Sequence, residues 1–238
     1  MAHVWTIIKK ELRAYFNSPA GYIFLSVFWV LSSWMYIRTL FFLGEASMRN
    51  YFSLLPWIFL FFVPAVSMRM WSEEKKIGTM EVLMTWPVRD GAIVAGKFLA
   101  SLLFICIALG GSLILPIILG SIGNPDWGVI GAGYLGTFLF AAAFLSVGLF
   151  ASSLTRNQVV ALIMGAAFVF LLLIIGNDSV LMFMPIWLSS VLKGLSLGTH
   201  YQSVIRGVID SRDLIYYFSV IGFFLYLNSK VIESRKWQ

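Results

Sequence analysis

The chain has 238 residues, of which 60% are hydrophobic and only 12% are Asp, Glu, Lys or Arg, about half the charged share of a soluble domain. That much apolar surface excludes disorder and a water-soluble globule, and makes lipid the solvent for most of the chain. Charge-free runs cover 14–37, 50–68, 98–125, 127–155, 157–177 and 214–229. Four of them exceed the roughly 20 residues that carry a helix across a hydrocarbon core, and two come close.

In chain order, residues 1–16 read as an interfacial helix: Val4, Trp5, Ile8 and Leu12 recur at helical spacing beside Lys9, Lys10, Glu11 and Arg13. Asn17, Ser18, Pro19 and Gly21 then break the chain before a first span from about Gly21 to Leu43. Arg38, near the end of that span, is expected to snorkel to headgroups. A second span covers about Tyr51–Met68 and carries Pro56 and Pro64; the third runs from Phe98 to about Ile122. A turn at Gly123–Asp126 leads to the fourth, Val129–Leu154, and the polar connection 155–158 leads to a fifth that ends at Ile175. Between Gly176 and Asp213, Pro185, Lys193, Gly194, Gly198 and Arg206 cut the apolar stretches too short to cross, which predicts short helices that dip into or lie on one face. A short sixth span, Leu214 to about Leu227, precedes a polar tail. The expected fold is an all-α integral membrane protein of six transmembrane helices, a single transmembrane domain over 1–238.

With six crossings, 12 of the 17 Lys and Arg residues fall on the side shared by both termini. The positive-inside rule makes that side cytoplasmic. The net charge of +6 then reports topology and attraction to anionic lipid, and does not call for nucleic acid.

The longest charged segment, 69–97, lies between the second and third spans and cannot sit in hydrocarbon. Gly78 is placed to stop a helix, Thr79 to cap the next, and Glu81 to complement its dipole. Met80, Leu83 and Met84 share a face and Pro87 ends the element, a short cytoplasmic helix offering Met, Leu and Trp86 to a partner protein or to the membrane surface. Gly91, Gly96 and Lys97 imitate the spacing of a phosphate-binding loop, but Phe98 stands where the magnesium-holding hydroxyl belongs, so Lys97 reads as an interfacial anchor.

The succession Glu74, Gly78, Thr79, Glu81, Leu83 and Pro87, followed by Gly96 and Lys97, resembles the cytoplasmic signature of type-2 ABC transporter permeases, and the plan of the whole chain resembles theirs. The run YFNSPAG (15–21) and the stretch from His200 to Tyr217 are similar to the branch of GldF-type and NosY-type subunits. The resemblance implies that Glu73, Glu74, Gly78, Thr79, Glu81 and Leu83 form a coupling contact with a separate ATPase subunit, flanked by Lys9, Lys10 and Arg13 on the interfacial helix. It also implies that Arg206, Gly207 and Asp210, within the 176–213 region, belong to an outer gate. ATP and magnesium would then be bound by the partner ATPase, with no cofactor in this chain.

Span four is rich in small residues (Gly128, Gly131, Gly133, Gly136, Ala141–Ala143, Ser146, Gly148), which suits either packing within the chain or a contact with a second subunit. Enzyme chemistry finds little footing: His3 and His200 are expected on opposite faces, Cys106 is alone in an apolar run, and no zinc-ligand spacing or Ser, His and acid set is evident. The reading that follows is a permease subunit of an ATP-driven exporter in a bacterial inner membrane. Both termini would be cytoplasmic, a second permease subunit, identical or different, would complete the path, and spans one, two and five would line it. The alternatives are an ATP-independent channel or scaffold, and an intramembrane enzyme using Cys106, His200 or Asp178.

Overall fold

A computed structural model describes residues 2–44, 47–80, 90–208 and 210–234. Among them every regular element is a helix: α1 (Ala2–Phe16), α2 (Pro19–Leu43), α3 (Arg49–Ser67), α4 (Arg69–Ile77), α5 (Asp90–Gly111), α6 (Ile114–Ile122), α7 (Trp127–Leu154), α8 (Gln158–Ile174), α9 (Asp178–Leu181), α10 (Ile186–Leu195), α11 (Leu197–Ile205) and α12 (Ser211–Ser234). Five helical runs are long and apolar enough to cross a membrane: Pro19–Phe42, Arg49–Ile77, Asp90–Ile122, Trp127–Leu154 and Ser211–Ser234. At 17 residues, α8 spans about 26 Å, the lower end of what a crossing needs.

Helix boundaries follow local chemistry. The α1–α2 break is made by Ser18, whose hydroxyl accepts from the Ala20 amide, with Pro19 at the first helical position. Gly21 lies so close to the Tyr15 carbonyl that a Cβ there would be 2.3 Å from it. Asp126 and Asn157 cap α7 and α8 with their side-chain oxygens. Two boundaries differ from the sequence expectation. Helix α5 begins at Asp90, eight residues before Phe98: residues 90–97 hold no proline, their two glycines are tolerated, and Lys97 finds partners within the protein. Helix α12 continues through Asn228, which is wholly buried, to Ser234; backbone hydrogen bonding does not stop where apolar composition does.

Pro56 is accommodated by a neighbouring helix. Pro56 has no amide to offer the carbonyl four residues earlier, Phe52, and the Tyr201 hydroxyl from α11 donates to that oxygen at 3.0 Å. At the α5–α6 joint, the Ser112 carbonyl accepts from the Leu115 amide at 3.0 Å and from the Tyr134 hydroxyl on α7 at 3.0 Å, which ties the joint to the central helix.

Helix α7 is the central post. Its small residues are consumed inside the chain: a Cβ at Gly133 would meet the Phe52 ring at 2.2 Å, one at Gly136 the Val204 methyls at 2.4 Å, and one at Gly148 the Ser67 hydroxyl at 2.2 Å. Around it pack α3, α5, α8, α11 and α12. Phe140, Ala141, Ala142, Ala143, Phe144 and Leu145 form the middle of the core. The choice left open by composition is therefore decided for Gly133, Gly136 and Gly148: they serve packing within the chain.

Candidate functional site

The segment between α3 and α5 is anchored at its start. Helices α3 and α4 form one run of 29 residues, interrupted at Met68. There the Ser152 hydroxyl of α7 accepts from the amides of Trp71 (3.2 Å) and Ser72 (3.3 Å) and donates to the Met68 carbonyl at 2.8 Å. Lys75, buried beside it, donates to the Ser153 carbonyl at the α7 C-terminus, where helix carbonyls lack intrahelical partners. Gly78 ends α4 in the left-handed region, φ 80°. The Thr79 hydroxyl turns back to the Glu74 carbonyl at 3.5 Å.

A buried ionic cluster joins α1, α4 and α5. Lys97 is only 1% exposed; its ammonium lies 2.9 Å from Glu11 Oε1, 2.9 Å from Glu74 Oε1 and 2.9 Å from the Met70 carbonyl. The Trp71 ring centroid is 4.9 Å from the same nitrogen. The ammonium thus donates hydrogen bonds to Glu11 and the Met70 carbonyl and pairs by charge with Glu74. Lys10 closes the group from the rim, 3.1 Å from Glu74 and 3.5 Å from Glu11. Burial by itself lowers the Lys10 pKa, but the Glu11 and Glu74 carboxylates outweigh it and hold it above the ordinary lysine value. Next to Lys97, Gly96 gives Ile7 of α1 its seat: a Cβ there would be 2.8 Å from Ile7 Cγ2. Tyr15 completes the docking of α1, its hydroxyl donating to the Val66 carbonyl at 2.8 Å.

These contacts revise the roles of several residues. Lys97 is not an anchor to headgroups; it is enclosed by protein, because two carboxylates and a carbonyl replace the water it gives up. Glu74 is 12% exposed and engaged with Lys97 and Lys10, so its Oε1 faces this chain's own cations. Met80 is 6% exposed and belongs to the core, not to an outward face. Glu73, 40% exposed and 3.6 Å from Arg69, stands with Lys76, Gly78 and Thr79 on the exposed tip of α4, joined by Ile77 at 66% exposure. Glu81, Leu83, Met84, Trp86 and Pro87 lie outside the described residues.

The opposite end holds a second polar group. His200 Nδ1 lies 2.6 Å from Asp213 Oδ1 and its Nε2 3.2 Å from the Gly194 carbonyl, while Tyr216 stacks on the ring at 3.9 Å. The Ser203 hydroxyl donates to the other Asp213 oxygen. Ser, His and Asp do meet here, contrary to the sequence reading, but both Ser203 and His200 engage the carboxylate, so the hydroxyl has no imidazole base. Of the expected gate residues, Arg206 ends α11, Gly207 follows with φ 79° against Val129, and Asp210 accepts from the Arg212 amide at 2.9 Å. None of these three joins the His200 group. Tyr201, between them, links α11 to α7 and α3 through Thr137 (2.8 Å) and the Phe52 carbonyl. Among the described residues no group of three or more His, Cys, Asp and Glu is arranged to hold a metal ion.

Two hollows open on the side of the bundle. One, about 290 Å³, lies between α2 and α3 and is lined by Phe24, Phe28, Leu31, Phe61 and Phe62. The other, about 190 Å³, lies between α3, the end of α8 and α11, among Trp57, Asn177, Thr199 and Gln202.

The sequence model of a family described as ABC-2 family transporter protein matches residues 5–232. No curated protein gives a match. The family match takes in most of α1, the four long apolar runs from Pro19 to Leu154 and nearly all of α12, so the chain belongs to the ABC-2 family of transporter proteins, as a multi-pass permease component of an ABC transporter.

Proposed function

We propose that this permease is driven by separate ATPase subunits that dock on the tip of α4 and the residues following it, and that it works as an exporter together with a second permease subunit. The observation that carries the proposal is the α3–α4 run: a membrane-crossing helix that continues 29 residues to an exposed tip bearing Glu73, Lys76, Ile77, Gly78 and Thr79. A stiff element of that kind converts movement of a docked subunit into movement of the span itself. Glu81 and Leu83 extend the same contact, and ATP and magnesium belong to the docked subunit. The basic residues of α1 and α4 favour the cytoplasmic side of a bacterial inner membrane for this end.

The hollows along α2, α3 and α8 support a path completed by a second permease copy, with aromatic and aliphatic walls suited to an amphiphilic cargo. The test is purification of the tagged chain from its native membrane. A subunit with nucleotide-binding motifs is expected to co-purify stoichiometrically with the wild type and to be lost with the pair Glu73→Arg and Ile77→Asp. Recovery of no such subunit, with transport intact, favours the ATP-independent channel or scaffold and overturns the proposal.

A further inference from the structure

The ion cluster sits where two packed groups of helices meet. Helix α4 is held to α7, α8 and α3, with Ser152 and Lys75 as the polar links. Helix α1 packs along α5 and against the start of α2. Between α1 and α4 there is little direct packing; the links are polar: the Lys97 ammonium bridges Glu11 to Glu74 and Met70, Lys10 of α1 pairs directly with Glu74 at 3.1 Å, and the Arg69 guanidinium lies over the Tyr15 ring, 5.3 Å from its centroid. A buried ammonium that donates to Glu11 of α1 and the Met70 carbonyl of α4, pairs with Glu74, and is screened from water by Trp71, fixes the separation of the two helices far more tightly than an exposed pair does. Two cations face two carboxylates in this group, so it is neutral as a whole. Loss of Lys97 leaves Glu11 and Glu74 directed at one another with only Lys10 between them.

We propose that Lys97 is a positioning residue for ATP-driven transport: it locks α1 to α4 and α5, so that the interfacial helix moves as one rigid block with the element that receives the ATPase. This rests on the proposed docking of an ATPase at the α4 tip. Its consequence is that α1, which runs directly into α2, delivers the motion to a second span. One nucleotide-driven displacement then reaches α2 and α3 together.

The experiment uses the permease with its ATPase in lipid nanodiscs, in a Cys106→Ser background, with spin labels at the exposed positions Arg13→Cys on α1 and Lys76→Cys on α4. The distance is read by double electron–electron resonance with and without a non-hydrolysable ATP analogue. The expected result is a narrow distribution that is the same in both states, broadened in Lys97→Met and in the near-isosteric Glu11→Gln. Glu11→Gln serves where loss of Lys97 impairs folding. In the same complexes the permease-stimulated ATPase kcat is expected to fall about tenfold with the KM for ATP unchanged. A residue that only held the fold together would lower the yield of complex and leave the kcat per complex intact.

The proposal is overturned if both variants keep the narrow, nucleotide-independent distance, or if the wild-type distance itself shifts by several ångström on nucleotide binding. If no ATPase associates, the docking reading fails separately. The comparison of wild type with Lys97→Met and Glu11→Gln in the permease alone still decides whether the block exists.

Discussion

Replacing Ser152 with alanine removes one oxygen and strands two amides. The Trp71 and Ser72 N–H groups share that oxygen at 3.2 and 3.3 Å, and both residues are buried. A buried donor left without a partner costs about 1–3 kcal/mol. Because these two bonds are long and divide a single acceptor, the lower end applies to each, which gives about 2 kcal/mol for the pair. The Met68 carbonyl keeps its other donor, the Ser72 hydroxyl, and adds little. At about 1.4 kcal/mol per tenfold, the start of α4 should open about 30 times more often. Hydrogen exchange followed by mass spectrometry on peptides spanning 69–77 measures this directly, with faster exchange confined to that segment and Ser152→Thr restoring the wild-type rate. Unchanged exchange in Ser152→Ala would show that the two amides recover carbonyl partners within their own helix, and that the α7 hydroxyl does not hold the joint.

Three further outcomes follow from contacts elsewhere. Gly136→Val forces a side chain into the 2.4 Å approach of Val204; overpacking of this kind costs about 1–3 kcal/mol, read as a lower melting temperature in detergent and recovered by adding Val204→Ala. Gly96→Ala crowds Ile7 at 2.8 Å and should release α1, seen as faster tryptic cleavage after Lys9, Lys10 and Arg13, with Ile7→Ala suppressing the effect. Lys10 has a raised pKa, so its contribution to α1 docking is complete below the ordinary lysine value of about 10.4 and disappears as pH rises through the elevated one. A nitroxide on Arg13→Cys should stay immobile from neutral pH to that value and gain mobility above it; mobility gained below pH 9 would contradict the assignment.

The membrane character, the five long apolar helices and the stop at Gly78 were legible because each depends on local signals: uninterrupted apolar length, capping residues, and a glycine that accepts positive φ. The ion cluster was not, because Glu11 and Lys97 are 86 residues apart and nothing local says which of many cations will turn inward. One signal did point there. Glu11 falls three residues after Ile8 and four before Tyr15, on the face that α1 buries, and a carboxylate inside an apolar stripe needs a partner. The sequence reading placed that face on Val4, Trp5, Ile8 and Leu12. Packing against α5 rotates it toward Ile7, Ile8, Glu11 and Tyr15, leaving Trp5 exposed beneath Lys9. At the other end, His200, Ser203 and Asp213 escaped notice because their meeting depends on how α11 folds back against α12, which periodicity within either helix does not encode. The small residues of α7 were visible as a stripe, but only the fold shows which of them face Phe52, Val204 and Ser67.

The Tyr201 hydroxyl that fills the carbonyl opened by Pro56 carries a consequence for how this sequence can drift. In hydrocarbon an opened carbonyl finds no water, so a proline at position 56 is tolerable only while the tyrosine is present. Once an ordinary residue replaces the proline, its amide reclaims the carbonyl and the tyrosine loses half its reason to remain. Pro56 and Tyr201 should therefore be inherited as a couple, present together or absent together across relatives, although 145 positions separate them.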